Sequence, residues 1–328
     1  VRQGQFDFRE LKALRHELDV LWDLDGIVFT DIDESKNRVV VGVQAAAFTR
    51  IKAAVERKLA SLRISPDAAE VVRTEPIRAL SALDDRVRPL AGGLQISLPG
   101  SICTFGFNAI RAGVVGFVVN SHCTMKMGGV RKKTLFYQPL YANENLIGKE
   151  TVDPAFSNSK CTFRTRRRCR WSDSAFAQMD ARVPASDINQ GGIVAPQALG
   201  SITTTARAYR ITAEAPSNAL MGETLNKVGR TTGWSQGEVI LSCVNVRIFE
   251  TNIVLLCQDI VGAAVAPGDS GSPVFKFTNN PSAGSVTLHG ILWGGTSDDT
   301  EFVFSPIANI QRAGELGPLT TCAAGFAC

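Results

Sequence analysis

Cysteine is missing from the first hundred residues of this 328-residue chain; all eight copies lie between positions 103 and 328. Histidine is scarce, with only His16, His122 and His289. No C-x-x-C pair occurs, so a zinc-type centre is not expected, and no motif asks for a cofactor. Long apolar runs are absent too. The longest, residues 253–267, is broken by Cys257, Gln258 and Asp259, which argues against a membrane-spanning helix. The first residues are polar and charged, so no secretion signal is expected within this chain. A strong charge of one sign is lacking: the net charge of +4 does not by itself call for nucleic acid, and no nucleic-acid-binding module is recognisable. No internal repeat is visible. What is present is an ordinary globular composition, 45% hydrophobic and 20% charged, which excludes wholesale disorder. The length suits one very large domain or two ordinary ones.

An even number of cysteines confined to one region suggests a disulfide framework formed in an oxidising, extracellular compartment. Eight cysteines allow on the order of a hundred pairings. Nearest neighbours in sequence are the expected partners: Cys103–Cys123, Cys161–Cys169, Cys243–Cys257 and Cys322–Cys328.

The pattern changes along the chain. Residues 1–75 read as a small α+β domain. Asp7 and Glu10 form a capping pair ahead of Leu11, Leu14, Leu18 and Leu21, which recur at helical spacing. Two β-rich runs, 26–30 and 38–43, flank a polar stretch and predict a hairpin. Residues 45–62 predict a second helix, and Val71-Val72 a third strand. Residues 76–93 contain prolines, mixed charge and a Gly-Gly pair and read as a linker. From 94 to 328 short β runs alternate with turn signals, the pattern of an all-β barrel or sandwich.

One run dominates the second part: Pro267-Gly268-Asp269-Ser270-Gly271-Ser272-Pro273. A serine between glycines suits a tight turn, but its hydroxyl is a poor nucleophile unless a base takes its proton. His122 ends an apolar run, Val118-Val119-Asn120-Ser121-His122-Cys123, and is the candidate base. Asp173 is the expected carboxylate orienting it, with Asp180 as main rival; Asp153 and Asp187 sit in turn-like contexts and read as solvated. His16 reads as structural and His289 as a wall residue. The G-x-S-x-G elbow of α/β-hydrolases is not met, because Ser272 stands where its last glycine belongs.

These blocks, with Cys169-Arg170-Trp171-Ser172-Asp173, Val228-Gly229-Arg230-Thr231-Thr232-Gly233 and Leu292-Trp293-Gly294-Gly295, resemble the chymotrypsin-like serine peptidases. The resemblance is to the secreted bacterial branch with streptogrisin and α-lytic protease. It covers roughly the C-terminal two-thirds, with the motifs in the order His, Asp, Ser. It implies two six-stranded antiparallel β-barrels with the site between them. It implies an acyl-enzyme mechanism with Ser270 as nucleophile, His122 as base and Asp173 as orienting group. The N–H groups of Gly268 and Ser270 would form the oxyanion hole. Cys103–Cys123 would match the family's bridge beside the histidine. Arg230, in the Gly-Arg-Thr-Thr-Gly motif, would neutralise Asp269.

The resemblance also implies that Leu292, Trp293 and Gly294 form the substrate strand. Most relatives have a serine where Leu292 stands, and that serine supports the aspartate. Ala264 falls where the base of the specificity pocket lies; with no charge there, an apolar P1 residue is expected, narrowed by Phe302 or Phe304. Residues 1–75 resemble, more loosely, the pro-region of the branch, a folding aid and inhibitor of its own enzyme. The partners implied are a peptide or protein substrate and this pro-region, on a monomer. Arg164, Arg166, Arg167, Arg168 and Arg170 form a basic run, read as a solvated disulfide-clipped loop or, more sharply, an exosite for acidic polymers. Two other functions stand beside the peptidase: a non-catalytic binding protein on the same scaffold, and a quality-control protease of the HtrA type.

Overall fold

The computed structural model describes residues 4–77, 81–130, 132–278, 284–326 and 328. The chain forms two compact units, Val1–Ala79 and Leu80–Cys328.

In the first unit Asp7 caps the helix Phe8–Leu18: its Oδ1 accepts from the Arg9 N–H at 2.7 Å, and Glu10 Oε2 accepts from the Asp7 N–H at 3.1 Å. Such a box satisfies N–H groups that the first turn leaves open. Strands Ile27–Asp33 and Arg38–Val43 form the expected antiparallel hairpin. The helix Phe48–Ser61 then crosses over to bring Ala69–Arg73 parallel to the second strand. Leu11, Leu14, Leu18, Val39, Val41, Ile51, Val55 and Leu59 interdigitate as one core.

The second unit is mostly β. Among its described residues one sheet has seven strands: Gln95–Leu98, Ser101–Thr104, Phe107–Arg111, Val114–Val119, Leu135–Tyr137, Leu146–Val152 and Ala175–Met179. The other has eleven. The mostly β expectation is borne out, with the strands pairing into sheets of seven and eleven rather than two sets of six, and not every pairing antiparallel. The larger sheet contains three parallel pairings: Arg168–Arg170 beside 253–255, Leu90–Gly92 beside Ile188–Pro196, and Thr203–Glu214 beside Ser285–Gly295. The linker reading also gives way over residues 81–93. Ser81–Ala82 pairs with 203–204, and Leu83, Leu90 and Ala91 are buried, so this stretch belongs to the second unit. Its prolines and charges hid a few apolar residues that the core covers; residues 78–80 of that stretch lie outside the described residues.

All four disulfides join neighbours in sequence, as expected: Cys103–Cys123, Cys161–Cys169, Cys243–Cys257 and Cys322–Cys328. Phe105, Phe107, Phe117, Phe136 and Phe176 are fully buried and fix the seven-stranded sheet. Each contributes about 2 kcal/mol by leaving water. Among the described residues no helix is long and apolar enough to cross a membrane.

Candidate active site

His122 sits on a one-turn 3-10 helix, Ser121–Cys123, immediately after strand Val114–Val119. That strand pairs with Ala175–Met179 so that Val119 faces Ala175, and the register carries Asp173 to the turn holding His122. The Asp173 carboxylate accepts from the His122 backbone N–H at 3.2 Å and makes a short hydrogen bond with the imidazole Nδ1. Asp173 is fully buried, whereas 32% of the His122 side chain is exposed, so one edge of the ring faces solvent. Burial disfavours the imidazolium, but the Asp173 charge and hydrogen bond outweigh it and hold the His122 pKa above the ordinary histidine value. Asp180, the rival, is bound to Arg182 at 2.8 Å on the surface and has no part here.

Three further groups fix Asp173. Its carbonyl accepts from Asn120 Nδ2 at 2.8 Å, and its N–H donates to Ser305 Oγ at 3.0 Å. Ser305 in turn donates to Gln258 Oε1 at 2.8 Å. Ser305 thus supports the aspartate through its backbone; Leu292, where the family pattern has a serine, is buried in an apolar cluster.

Two readings of charged residues are corrected. Asp153 is buried, not solvated, and Arg170 is fully buried rather than part of an exposed run. Arg170 donates to Asp153 Oδ1 at 2.7 Å, to Glu315 Oε2 at 2.6 Å and to the Ser174 carbonyl. Asp153 Oδ2 accepts from Ser121 Oγ at 2.8 Å, and Glu315 Oε2 from Ser172 Oγ at 2.8 Å. One guanidinium therefore ties residue 121, beside His122, to residues 172 and 174, on either side of Asp173. Sequence gave no sign of this, because the acidic partners lie 17 and 145 positions away.

Ser270 lies on the loop before strand Pro273–Phe277. Its carbonyl accepts from the Thr104 N–H at 2.7 Å and stands 4.0 Å from Cys123 Sγ, so the Cys103–Cys123 bridge sets Ser270 beside the His122 turn. Neighbouring N–H groups are engaged: Asp269 to Ala266, Gly271 to Leu292 and Ser272 to Asp269. The N–H groups of Gly268 and Ser270 have no hydrogen-bond partner among the described residues. Gly268 (φ +101°) could not be replaced cheaply, since a Cβ would come within 2.6 Å of Thr231 Oγ1; at Gly271 it would meet the Thr104 carbonyl at 2.0 Å. Cys103, His122 and Cys123 cluster closely enough to suggest a metal, but the two sulfurs are spent on the disulfide and offer no thiolate.

Asp269 is fully buried and its charge is matched by Lys227, not Arg230: Lys227 Nζ lies 2.9 Å from Oδ2, with neither side chain exposed. The N–H groups of Thr231 and Thr232 reach Oδ1 at 2.9 and 3.2 Å, and Thr232 Oγ1 reaches Oδ2 at 2.6 Å. Arg230 instead turns outward to Asp84 at 3.8 Å. The motif misled because its threonine amides bind the carboxylate while the cation comes from the strand before it. Burial pushes the Lys227 ammonium down from the usual lysine range, against the Asp269 charge and hydrogen bond, which push it up. Lys227→Met is expected to lose about 3–5 kcal/mol of stability in denaturant unfolding, because a buried carboxylate loses its counter-charge. Arg230→Ala is expected to lose less than about 1 kcal/mol, the worth of a partly exposed pair 3.8 Å apart. The reverse ranking would restore Arg230 as the partner.

A cavity of about 430 Å³ adjoins His122, lined by Met127, Val246, Arg247, Ile248, Phe249, Trp293, Gly294, Gly295 and Val303. Of the expected substrate residues, Trp293 and Gly294 line it. Leu292, Phe302 and Phe304 do not; their side chains fill the core of the larger sheet. Ala264 is exposed. His289, buried elsewhere, lines a different cavity with Glu223 and Lys276. His16 pairs with Asp19 on the surface of the first unit. Met127 and the hairpin tip at 246–249 were not singled out in sequence, since nothing local marks a loop that closes on a distant histidine.

No family model matches the chain, and no curated protein matches it. Among solved structures it is similar to a glutamic-acid-specific serine protease, at 19% identity and TM-score 0.47, over 66% of this chain and 94% of that one. Protease A of Thermobifida fusca is similar at 19% identity and TM-score 0.45, over 66% and 91%. A chymotrypsin of Cellulomonas bogoriensis is similar at 20% identity and TM-score 0.44, over 67% and 92%.

Proposed function

We propose that the chain is a serine endopeptidase that cleaves peptide bonds through an acyl-enzyme. The observation that carries this is the imidazole–carboxylate pair of His122 and Asp173 set beside a serine loop whose N–H groups at 268 and 270 have no partner among the described residues. Ser270 Oγ attacks the carbonyl carbon as His122 takes its proton. The carbonyl oxygen becomes an oxyanion held by the two free N–H groups. His122 then gives the proton to the leaving amine, and water repeats the sequence to release the acid. Among the described residues the Ser270 hydroxyl makes no hydrogen bond; in such sites the serine–imidazole contact tightens when substrate binds.

The substrate strand runs along Trp293 and Gly294, with apolar side chains entering the cavity beside His122 and an apolar residue at P1. The first unit acts as a folding aid and inhibitor, which suits a β-rich domain whose strand pairings are mostly non-local and slow to form. Four disulfides favour an oxidising, extracellular setting.

A fluorophosphonate tests the reading directly. One label per chain is expected, found on the peptide containing Ser270, on the full chain or once residues 1–79 are removed by limited proteolysis. A chain that stays unlabelled in both forms is a binding protein on this scaffold, and the proposal fails.

A further inference from the structure

The arginine-rich loop is built differently from a loose solvated run. Cys161–Cys169 clips it into a short ring, and the Arg167 N–H donates to Thr165 Oγ1 at 3.1 Å inside it. Strand Arg168–Arg170 then lies parallel to 253–255, which docks the ring on the hairpin whose tip lines the His122 cavity. The contact is specific: Arg167 Nη1 and Arg247 Nε both donate to the Thr251 carbonyl at 3.3 Å, and the Arg168 N–H reaches the Asn252 carbonyl at 2.9 Å. Arg247 itself lines the cavity. A basic face therefore continues from the wall of the apolar cavity onto the clipped ring.

The charges on this face are unbalanced. Arg164, Arg166, Arg168 and Arg247 are exposed, and among the described residues none of them makes an ion pair with a carboxylate. Glu250, at the hairpin tip, is the acidic side chain nearest in sequence to Arg247 and is also exposed. Of the other two arginines of the run, Arg167 donates to the Thr251 carbonyl and Arg170 is spent internally on Asp153 and Glu315. These exposed guanidinium groups are free to meet an incoming anion, and the planar fork of guanidinium suits carboxylates.

We propose that this face binds an acidic segment of the substrate, N-terminal to the apolar residues that enter the cavity beside His122. The inference rests on the peptidase reading, which makes that cavity the bed of the substrate's acyl side. Substrates are then selected by two adjoining features, an apolar stretch next to the cleaved bond and carboxylates just ahead of it. The ring, fixed by its disulfide and its parallel strand, presents the arginines without first having to be ordered.

The test is binding by the full chain of fluorescein-labelled peptides, followed by anisotropy. One probe carries four glutamates ahead of four apolar residues; its control carries four serines instead. At about 20 mM NaCl the glutamate peptide is expected to bind about tenfold tighter, falling to less than about twofold at about 500 mM NaCl, where exposed charges are screened. The triple variant Arg164→Ala/Arg166→Ala/Arg168→Ala, which touches no buried group, is expected to lose the preference and keep the affinity for the serine peptide. Equal affinities at low salt, or a preference that survives in the triple variant, would overturn the proposal. Tetraglutamate alone binding as tightly as the full probe would also overturn it, by making the face a general polyanion surface. Fluorophosphonate labelling is read separately. Binding without labelling removes the peptidase reading, and labelling without a glutamate preference removes the acidic subsite.

Discussion

Ser270→Ala is expected to lower kcat for peptide hydrolysis by about 10⁶, the order lost when the nucleophile of such a triad is removed. The variant should fold normally, because the Ser270 hydroxyl makes no hydrogen bond among the described residues and only the backbone of residue 270 is tied down, through Thr104. Residual turnover of about 10³ over water is expected to remain, since the free N–H groups at 268 and 270 still bind the oxyanion. Initial rates on an apolar peptide substrate, with unfolding curves beside them, check this. The assay is run on the full chain and after removal of residues 1–79. A loss of less than about a hundredfold, with folding intact, would remove Ser270 as nucleophile.

The second large effect is on the imidazole. Asp173→Asn is expected to lower kcat/KM by about 10⁴, because the amide presents an N–H where Nδ1–H needs an acceptor and so selects the wrong tautomer. The pH profile gives a separate readout. His122 works as a base only when neutral, so activity is lost as pH falls through its pKa. That pKa is raised in the intact site by the Asp173 charge and hydrogen bond, against desolvation. The acidic limb of kcat/KM should therefore have its midpoint above the ordinary histidine value. In the asparagine variant the raising influences are gone and desolvation alone remains, so the midpoint should move to lower pH. A limb that stays in place would mean that another group controls it.

Much of this was legible in the chain itself. The α+β character of the first unit follows from the leucine period of its first helix and the capping pair at Asp7 and Glu10. Both act within a few residues, and so does the turn chemistry of Gly268 to Gly271. Disulfide partners were readable because each lies near its mate. His122, Asp173 and Ser270 could be singled out because each stands in a distinctive local block. The failures share one feature, which is distance. The cation for Asp269 depends on which side chain of strand Thr224–Gly229 points inward, and the nearby arginine was the more conspicuous choice.

Local sequence thus singled out the candidate residues of the site and the short elements that hold them. Tertiary structure alone decided the charge balance around them. Buried, Asp153, Arg170 and Glu315 answer one another, although Asp153 and Arg170 read as surface charges and Glu315 went unnoticed in sequence; Asp269 is answered by Lys227, which the sequence did not single out, rather than by Arg230. The physical reason is that an ion leaves water only where partners replace its hydration, and strand pairing brings those partners from remote parts of the chain.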